Sequence, residues 1–245
     1  MSDDREPIDG SITPLIRFVA FAGRIFAGSL TRVRFEGALD SVPREGPLII
    51  AANHASNLDG VIVGAWLIPR LGRRFQWLGK KELFDWPVVG WVARNGGVHP
   101  VDRSTADVEA FRLARRILDE GHVLFVFPEG TRSPDGSLHQ ARDGVAALAL
   151  RTGAPIVPVS ISGSDRVWPR THRLPRPGGT VTVRVGEPFR LGDLVSGAGG
   201  DKRALKSRAT TALMRRIAAG LPPRQQGVYA PGTDAHEGSE KGPMR

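Results

Sequence analysis

Three short apolar runs constrain the fold more than anything else in this chain. Leu48–Ala52 and Val123–Phe127 are wholly apolar, and Pro155–Ile161 nearly so. Each is too short for a core helix and is bounded by turn formers: Gly46-Pro47, Gly121 and Gly153. Such runs are expected of strands buried on both faces, the environment of a parallel sheet covered by helices. Helical patterns separate them. Asp59–Ile68 reads as a helix ending before Pro69. Ser104–Glu120 carries the stripe Val108, Phe111, Ala114, Ile117 and Leu118, with Ser104 able to cap it. Asp143–Arg151 is a third helix, stopped by Thr152-Gly153. Val33–Gly37, Phe75–Leu78, Gly97–Val101 and Thr180–Val185 read as further strands, and Pro87–Ala93 and Asp201–Ala219 as further helices. The alternation predicts an α/β fold: one domain with a largely parallel central sheet flanked by helices.

The ends read differently. Residues 1–13 are polar and expected to be flexible, and from Leu221 to residue 245 the chain turns to Pro, Gly and charge, the composition of a disordered tail. The folded domain is then 31–220. Pro14–Leu30 is the most apolar segment, yet it is shorter than the roughly 20 apolar residues of a membrane span and contains Arg17 and Arg24. Seven residues apart on a helix, the two arginines share one stripe opposite a broad apolar face. This amphipathic pattern suits a helix lying in a membrane interface, and it equally suits a helix packed on the core.

Lys and Arg number 34 against 25 Asp and Glu, a formal net charge of +9. That balance favours anionic partners: a phospholipid surface or a phosphorylated substrate. With a single Tyr and no interleaved aromatic–basic motif, nucleic acid is not an expected partner. There is no cysteine, which excludes thiolate chemistry and fits a reducing compartment. The first ten residues are acidic rather than basic, unlike a signal peptide. The expected location is the cytoplasmic face of a membrane, peripheral or monotopic.

Two motifs carry chemistry. Asn53-His54-Ala55-Ser56-Asn57-Leu58-Asp59 follows the first buried run, at the strand end where open α/β sheets place their sites. A histidine can take a proton from an alcohol, and a carboxylate on its other ring nitrogen fixes the tautomer and stabilises the imidazolium. Spacing alone also fits a helix-capping pair with no chemistry. Phe127-Pro128-Glu129-Gly130-Thr131-Arg132 follows the second run. Its glycine allows close backbone approach and its arginine offers a fork for phosphate or carboxylate; Glu129 can orient a hydroxyl or pair with a nearby arginine. No Gly-x-Ser-x-Gly elbow or phosphate-binding Walker loop is present. His122, His139 and His172 lack partners at metal-ligand spacing and read as structural or solvated; no metal site is expected.

These motifs resemble the four ordered blocks of the glycerophospholipid acyltransferases of the 1-acyl-glycerol-3-phosphate acyltransferase type. Asn53 to Asp59 is similar to the first block and Gly97–Arg103 to the second. Phe127–Ser133 is similar to the third and Val157–Ile161 to the fourth, over about residues 35–190. His99 and Pro100 depart from the apolar or aromatic residues usual in the second block. The resemblance implies that His54 is the general base and Asp59 its partner. It implies that Arg103 contacts glycerol phosphate, that Glu129, Gly130, Thr131 and Arg132 belong to the acceptor site, and that Pro158 shapes the acyl-donor side. Lys80, in the pair Lys80-Lys81, is similar to a basic residue that reaches phosphate. The implied reaction passes an acyl chain from acyl-CoA or acyl-carrier protein, a co-substrate rather than a cofactor, to lysophosphatidate at a membrane surface, giving phosphatidate. Other lysophospholipid or glycolipid acceptors are the alternative; a basic lipid-surface binding protein without catalysis is a further one.

Overall fold

The computed structural model describes residues 7–101, 106–195 and 201–233. Its centre is a seven-stranded sheet in the order β1-β7-β6-β2-β5-β3-β4. The strands are β1 (Arg32–Gly37), β2 (Leu48–Ala52), β3 (Phe75–Lys80), β4 (Val98–Val101), β5 (Val123–Val126), β6 (Ile156–Ser162) and β7 (Thr180–Val185). All neighbours pair in parallel except β6 and β7, which run antiparallel. The continuous apolar runs take the middle: β2 lies between β5 and β6, with Ala51 opposite both Val126 and Pro158.

Alternate residues of these strands build two cores, as the pleat dictates. Leu48, Ile50, Phe75, Phe125, Val157 and Val159 meet α1 (Pro14–Leu30) and α2 (Asp59–Leu71) on one face. Ile49, Ala51, Leu124 and Ile156 meet the other helices: α4 (Ala106–Asp119), α5 (Gly144–Thr152) and α8 (Lys202–Ala218). Shorter helices complete the chain: α3 (Pro87–Asn95) after β3, α6 (Ser164–Val167) after β6, and α7 (Leu191–Val195) before α8.

The structure corrects four expectations. First, α2 runs past Pro69 to Leu71 and is closed by Gly72. Pro69 has no N–H for the carbonyl of Ala65, and Arg24 of α1 supplies the missing donor, its Nε lying 2.8 Å from that oxygen. Second, the stripe of Arg17 and Arg24 does not stand opposite a single apolar face: Arg17 is exposed, whereas Arg24 is half-buried against α2. The helix has two apolar faces: Ile16, Ala20 and Ala27 are buried, whereas Phe18, Phe21, Ile25 and Phe26 are exposed.

Third, the described part of the N-terminus is docked. Asp9 pairs with the buried Arg74, its carbonyl accepts from Gln76 Nε2 at 2.8 Å, and Ile8 N donates to Glu120 at 2.8 Å. Without this arm, Arg74, just before β3, and Gln76 on β3 would be buried polar groups short of partners. Fourth, residues 221–233 fold onto the domain. Leu221, Gln225 and Tyr229 are buried, and Tyr229 Oη accepts from Ala141 N at 2.9 Å. Gln225 clasps the loop after β5, its carbonyl accepting from Leu138 N at 2.9 Å and its Nε2 donating to Gly136 O at 3.0 Å.

Candidate active site

The parallel strands β2, β5, β6, β3 and β4 all end on one edge of the sheet, and the chemistry-bearing residues collect there. Asn53, the first residue past β2, is fixed by a two-pronged bond to Ile161 of β6. Its Nδ2 donates to the carbonyl at 2.9 Å and its Oδ1 accepts from the N–H at 2.7 Å. The next residue, His54, is thereby held at the rim.

His54 Nδ1 lies 2.9 Å from Asp59 Oδ2. Asp59 opens α2, is completely buried, and is surrounded by donors. Oδ2 accepts from Ala55 N at 2.8 Å and Ser56 N at 2.7 Å, and Oδ1 accepts from Ser164 Oγ at 2.7 Å. Two amide N–H groups already make Oδ2 an acceptor, so Nδ1 carries the proton of that bond and Nε2 carries the lone pair. The imidazole stacks on Phe127, ring centroids 3.9 Å apart and planes 10° from parallel. Its orientation is therefore fixed twice, by a bond at Nδ1 and by a flat apolar wall. Among the described residues Nε2 has no hydrogen-bond partner. A neutral imidazole so oriented can accept a proton from a hydroxyl.

The β5 loop joins this turn from the other side. Glu129 is only 5% exposed. Its Oε1 accepts from His54 N at 2.9 Å and its Oε2 from His139 N at 3.2 Å, while Ser133 N donates to the carbonyl of His54 at 2.7 Å. Glu129 thus ties the backbone of the histidine to the loop, and among the described residues it pairs with no arginine. Burial pushes its carboxyl up to about 7, against the two backbone donors and the nearby His139, which lower it, and with the Asp59 charge, which raises it. Gly130 turns the chain with φ +69°, donating to the Phe127 carbonyl at 2.9 Å. Thr131 beside it is exposed. Arg132 is half-buried, and its basicity is pressed down by burial first and by the neighbouring Arg170 charge second, with Asp59 opposing.

Other expected site residues fall elsewhere. Lys80 is exposed at the C-terminal end of β3, on the same edge. Pro158 is buried inside β6 at the register of Ala51, its carbonyl accepting from Gly186 N at 2.8 Å. Arg103, and Ser104, the expected helix cap, lie outside the described residues. His99 of the second block is half-buried beside Gln76, with Nε2 2.8 Å from Oε1. Burial, then the charges of Arg74 and Arg116, lower its basicity. Among the described residues no three acidic or imidazole side chains group as metal ligands.

Two contributors escaped sequence reading. Ser164 follows Gly163, whose φ is +85° and where a Cβ would come within 2.4 Å of the Thr180 carbonyl. That turn brings the serine hydroxyl onto Asp59. Trp168–Arg170 packs against the histidine turn, the Trp168 carbonyl accepting from Asn57 N at 3.0 Å and Ser56 Oγ at 2.8 Å. Both lie just beyond the C-terminal end of β6, and that position was the available signal.

A family model described as Acyltransferase matches residues 32–162. The chain belongs to the acyltransferase family. A chloroplastic 1-acyl-sn-glycerol-3-phosphate acyltransferase of Arabidopsis thaliana is 29% identical over 160 residues, 64% of this chain and 44% of the relative. The chain spans less than half the length of the plant relatives it matches. A 1-acyl-sn-glycerol-3-phosphate acyltransferase of Pseudomonas aeruginosa is 28% identical over 218 residues, 88% of this chain and 79% of the relative. The crystal structure of the 1-acyl-sn-glycerophosphate acyltransferase PlsC from Thermotoga maritima superposes with a TM-score of 0.64 at 25% identity, covering 83% of this chain and 78% of that one. The fold of this acyltransferase family member, a mostly parallel sheet between helices, is shared with that structure.

Proposed function

We propose that this chain transfers an acyl group from an acyl thioester, acyl-CoA or acyl-carrier protein, to the free hydroxyl of 1-acyl-glycerol-3-phosphate, giving phosphatidate. The observation that carries this reading is His54, bonded to Asp59 through Nδ1 at 2.9 Å with Nε2 open, on the same rim as Arg132. The names of the Pseudomonas and Arabidopsis relatives support the acceptor.

In this mechanism Nε2 takes the proton of the acceptor hydroxyl as the oxygen attacks the thioester carbonyl. Asp59 stabilises the imidazolium that forms. The tetrahedral intermediate collapses by breaking the C–S bond, and the departing thiolate takes the proton back from His54. An ester and a free thiol result, and His54 returns to its starting state. Among the described residues no Ser hydroxyl is bonded to His54, and the chain has no Cys, so the reading takes the transfer as direct, without an acyl-enzyme. Arg132, with Arg103 and Lys80, holds the phosphate and so aligns the hydroxyl. The reading needs no metal or cofactor. The enzyme works at the cytoplasmic face of a membrane as a peripheral or monotopic protein. Among the described residues no helix is long and apolar enough to cross a membrane, and the outward face of α1 supplies the contact.

Thiol release from long-chain acyl-CoA, with and without lysophosphatidate, tests the reading. Wild type should release thiol only with lysophosphatidate, and His54→Ala should lose at least about a hundredfold. Retention of more than a few per cent of activity by a folded His54→Ala protein would rule out the base. Activity confined to acceptors without a phosphate monoester would favour the alternative acceptors.

A further inference from the structure

We propose that Arg170 is a second arm of the acceptor's phosphate site and that, with Arg132, it favours a phosphate monoester over a phosphodiester. This rests on the function proposed above. Arg170 lies outside the four motif blocks, eight residues beyond β6. Its place beside the site is nevertheless fixed. Trp168 N donates to Ser164 O at 3.0 Å, the Trp168 carbonyl accepts two bonds from the histidine turn, and Ser56 and Pro169 form an isolated bridge. The indole Nε1 donates to His172 O at 3.1 Å, which closes the segment on itself. Arg170 then reaches across to the β5 loop, its Nη1 donating to the carbonyl of Arg132 at 3.2 Å.

The Arg170 guanidinium thus lies against the backbone of Arg132 at the rim. Its charge also weakens the basicity of the Arg132 guanidinium, after burial. Among the described residues neither forms an ion pair with a carboxylate. Like charges placed side by side repel, and the repulsion is relieved when an anion binds between them. Arg170 is exposed and Arg132 half-buried, so an anion can reach both from solvent. Guanidinium forks suit phosphate oxygens. Two of them match a monoester, which carries close to two charges near neutral pH, better than a diester with one. The carbonyl bond fixes Arg170 through one nitrogen and leaves other N–H groups of its fork for the ligand.

Arg170→Gln and Arg170→Lys, made in the full chain, test this. With acyl-CoA as donor, Arg170→Gln should raise the KM for lysophosphatidate roughly 10- to 100-fold, the loss of one or two bonds to a charged group. The competitive Ki of inorganic phosphate at pH 8 should rise with it. The KM for acyl-CoA should move less than about twofold, and Arg170→Lys should recover part of the loss through its charge. An unchanged lysophosphatidate KM and phosphate Ki in Arg170→Gln would overturn the proposal while leaving the function intact. An equal rise in both substrates' KM would also overturn it, marking Arg170 as a strut for the Arg132 loop. If wild type turned over no lysophosphatidate with either donor, the function would fail. Thermal stabilisation by inorganic phosphate, present in wild type and lost in Arg170→Gln, would then decide for the Arg170 site, and its absence against it.

Discussion

Ser164 donates its hydroxyl to Asp59 Oδ1 at 2.7 Å, in a site where neither side chain touches solvent. The carboxylate thus has three donors besides the imidazole, and the serine is the only one of them that a side-chain substitution removes. A hydrogen bond to a charged group contributes about 1.5–3 kcal/mol, and a buried acceptor left short of a donor costs a similar amount.

Ser164→Ala should therefore lower stability by about 1–3 kcal/mol, read as a reduced urea midpoint with unchanged slope. A carboxylate with one donor fewer also holds the imidazolium more tightly. The acid limb of the activity–pH profile should move to higher pH, with the maximal rate several-fold lower. A stability loss with an unmoved profile would make Ser164 a packing residue only.

Glu129 gives a pH dependence of the opposite kind to that of most paired carboxylates. Its folded-state pKa is pushed up to about 7 by burial, above the ordinary glutamate value of 4.5. Between those values the folded state holds a proton that the unfolded chain has released, so stability falls as pH rises through this window. The shift corresponds to about 3 kcal/mol at most, complete above pH 7. Glu129→Gln cannot titrate there. Urea midpoints of the two proteins from pH 5 to pH 8 should diverge, with wild type losing stability that the variant keeps. Parallel curves would mean that water or motion relieves the burial of this carboxyl.

Much of this was legible in the chain, and the unread parts share a cause. The buried strands announced themselves because a strand covered on both faces must be apolar throughout, as β2 is. The motif turns were legible because glycine, proline and the His–Asp spacing act locally. Contacts made by backbone groups across long sequence distances left no such trace. The carbonyl of Ala65 is freed by Pro69 four residues on, yet its donor is Arg24, 41 residues upstream. The 221–233 segment reads as disordered because it has few large apolar residues; it is held instead by Leu221 and Tyr229, by backbone pairing to Leu138, and by Gln225. The motif of Glu129 implies an acceptor-site residue, but not that its oxygens accept from the backbone of His54, 75 residues away, and of His139.

The outward face of α1 carries a last prediction. Deleting the helix would test membrane binding poorly, because Ile16, Ala20 and Ala27 are buried in the domain. Phe18 and Phe21 are 66% and 60% exposed, and Trp86, just before α3, is 67% exposed. Helices α1 and α3 are neighbours, and Trp91 of α3 is also exposed. Replacing such residues removes little from the folded core, yet each ring entering a bilayer interface should contribute about 1–2 kcal/mol, roughly tenfold in binding. Phe18→Ser with Phe21→Ser, and separately Trp86→Ser, should keep the melting temperature within about 2 °C. Each should release the protein from vesicles containing anionic phospholipid, measured by co-sedimentation at fixed ionic strength. If both variants bind as wild type does but let go in high salt, the contact is electrostatic and the aromatic face is not its anchor.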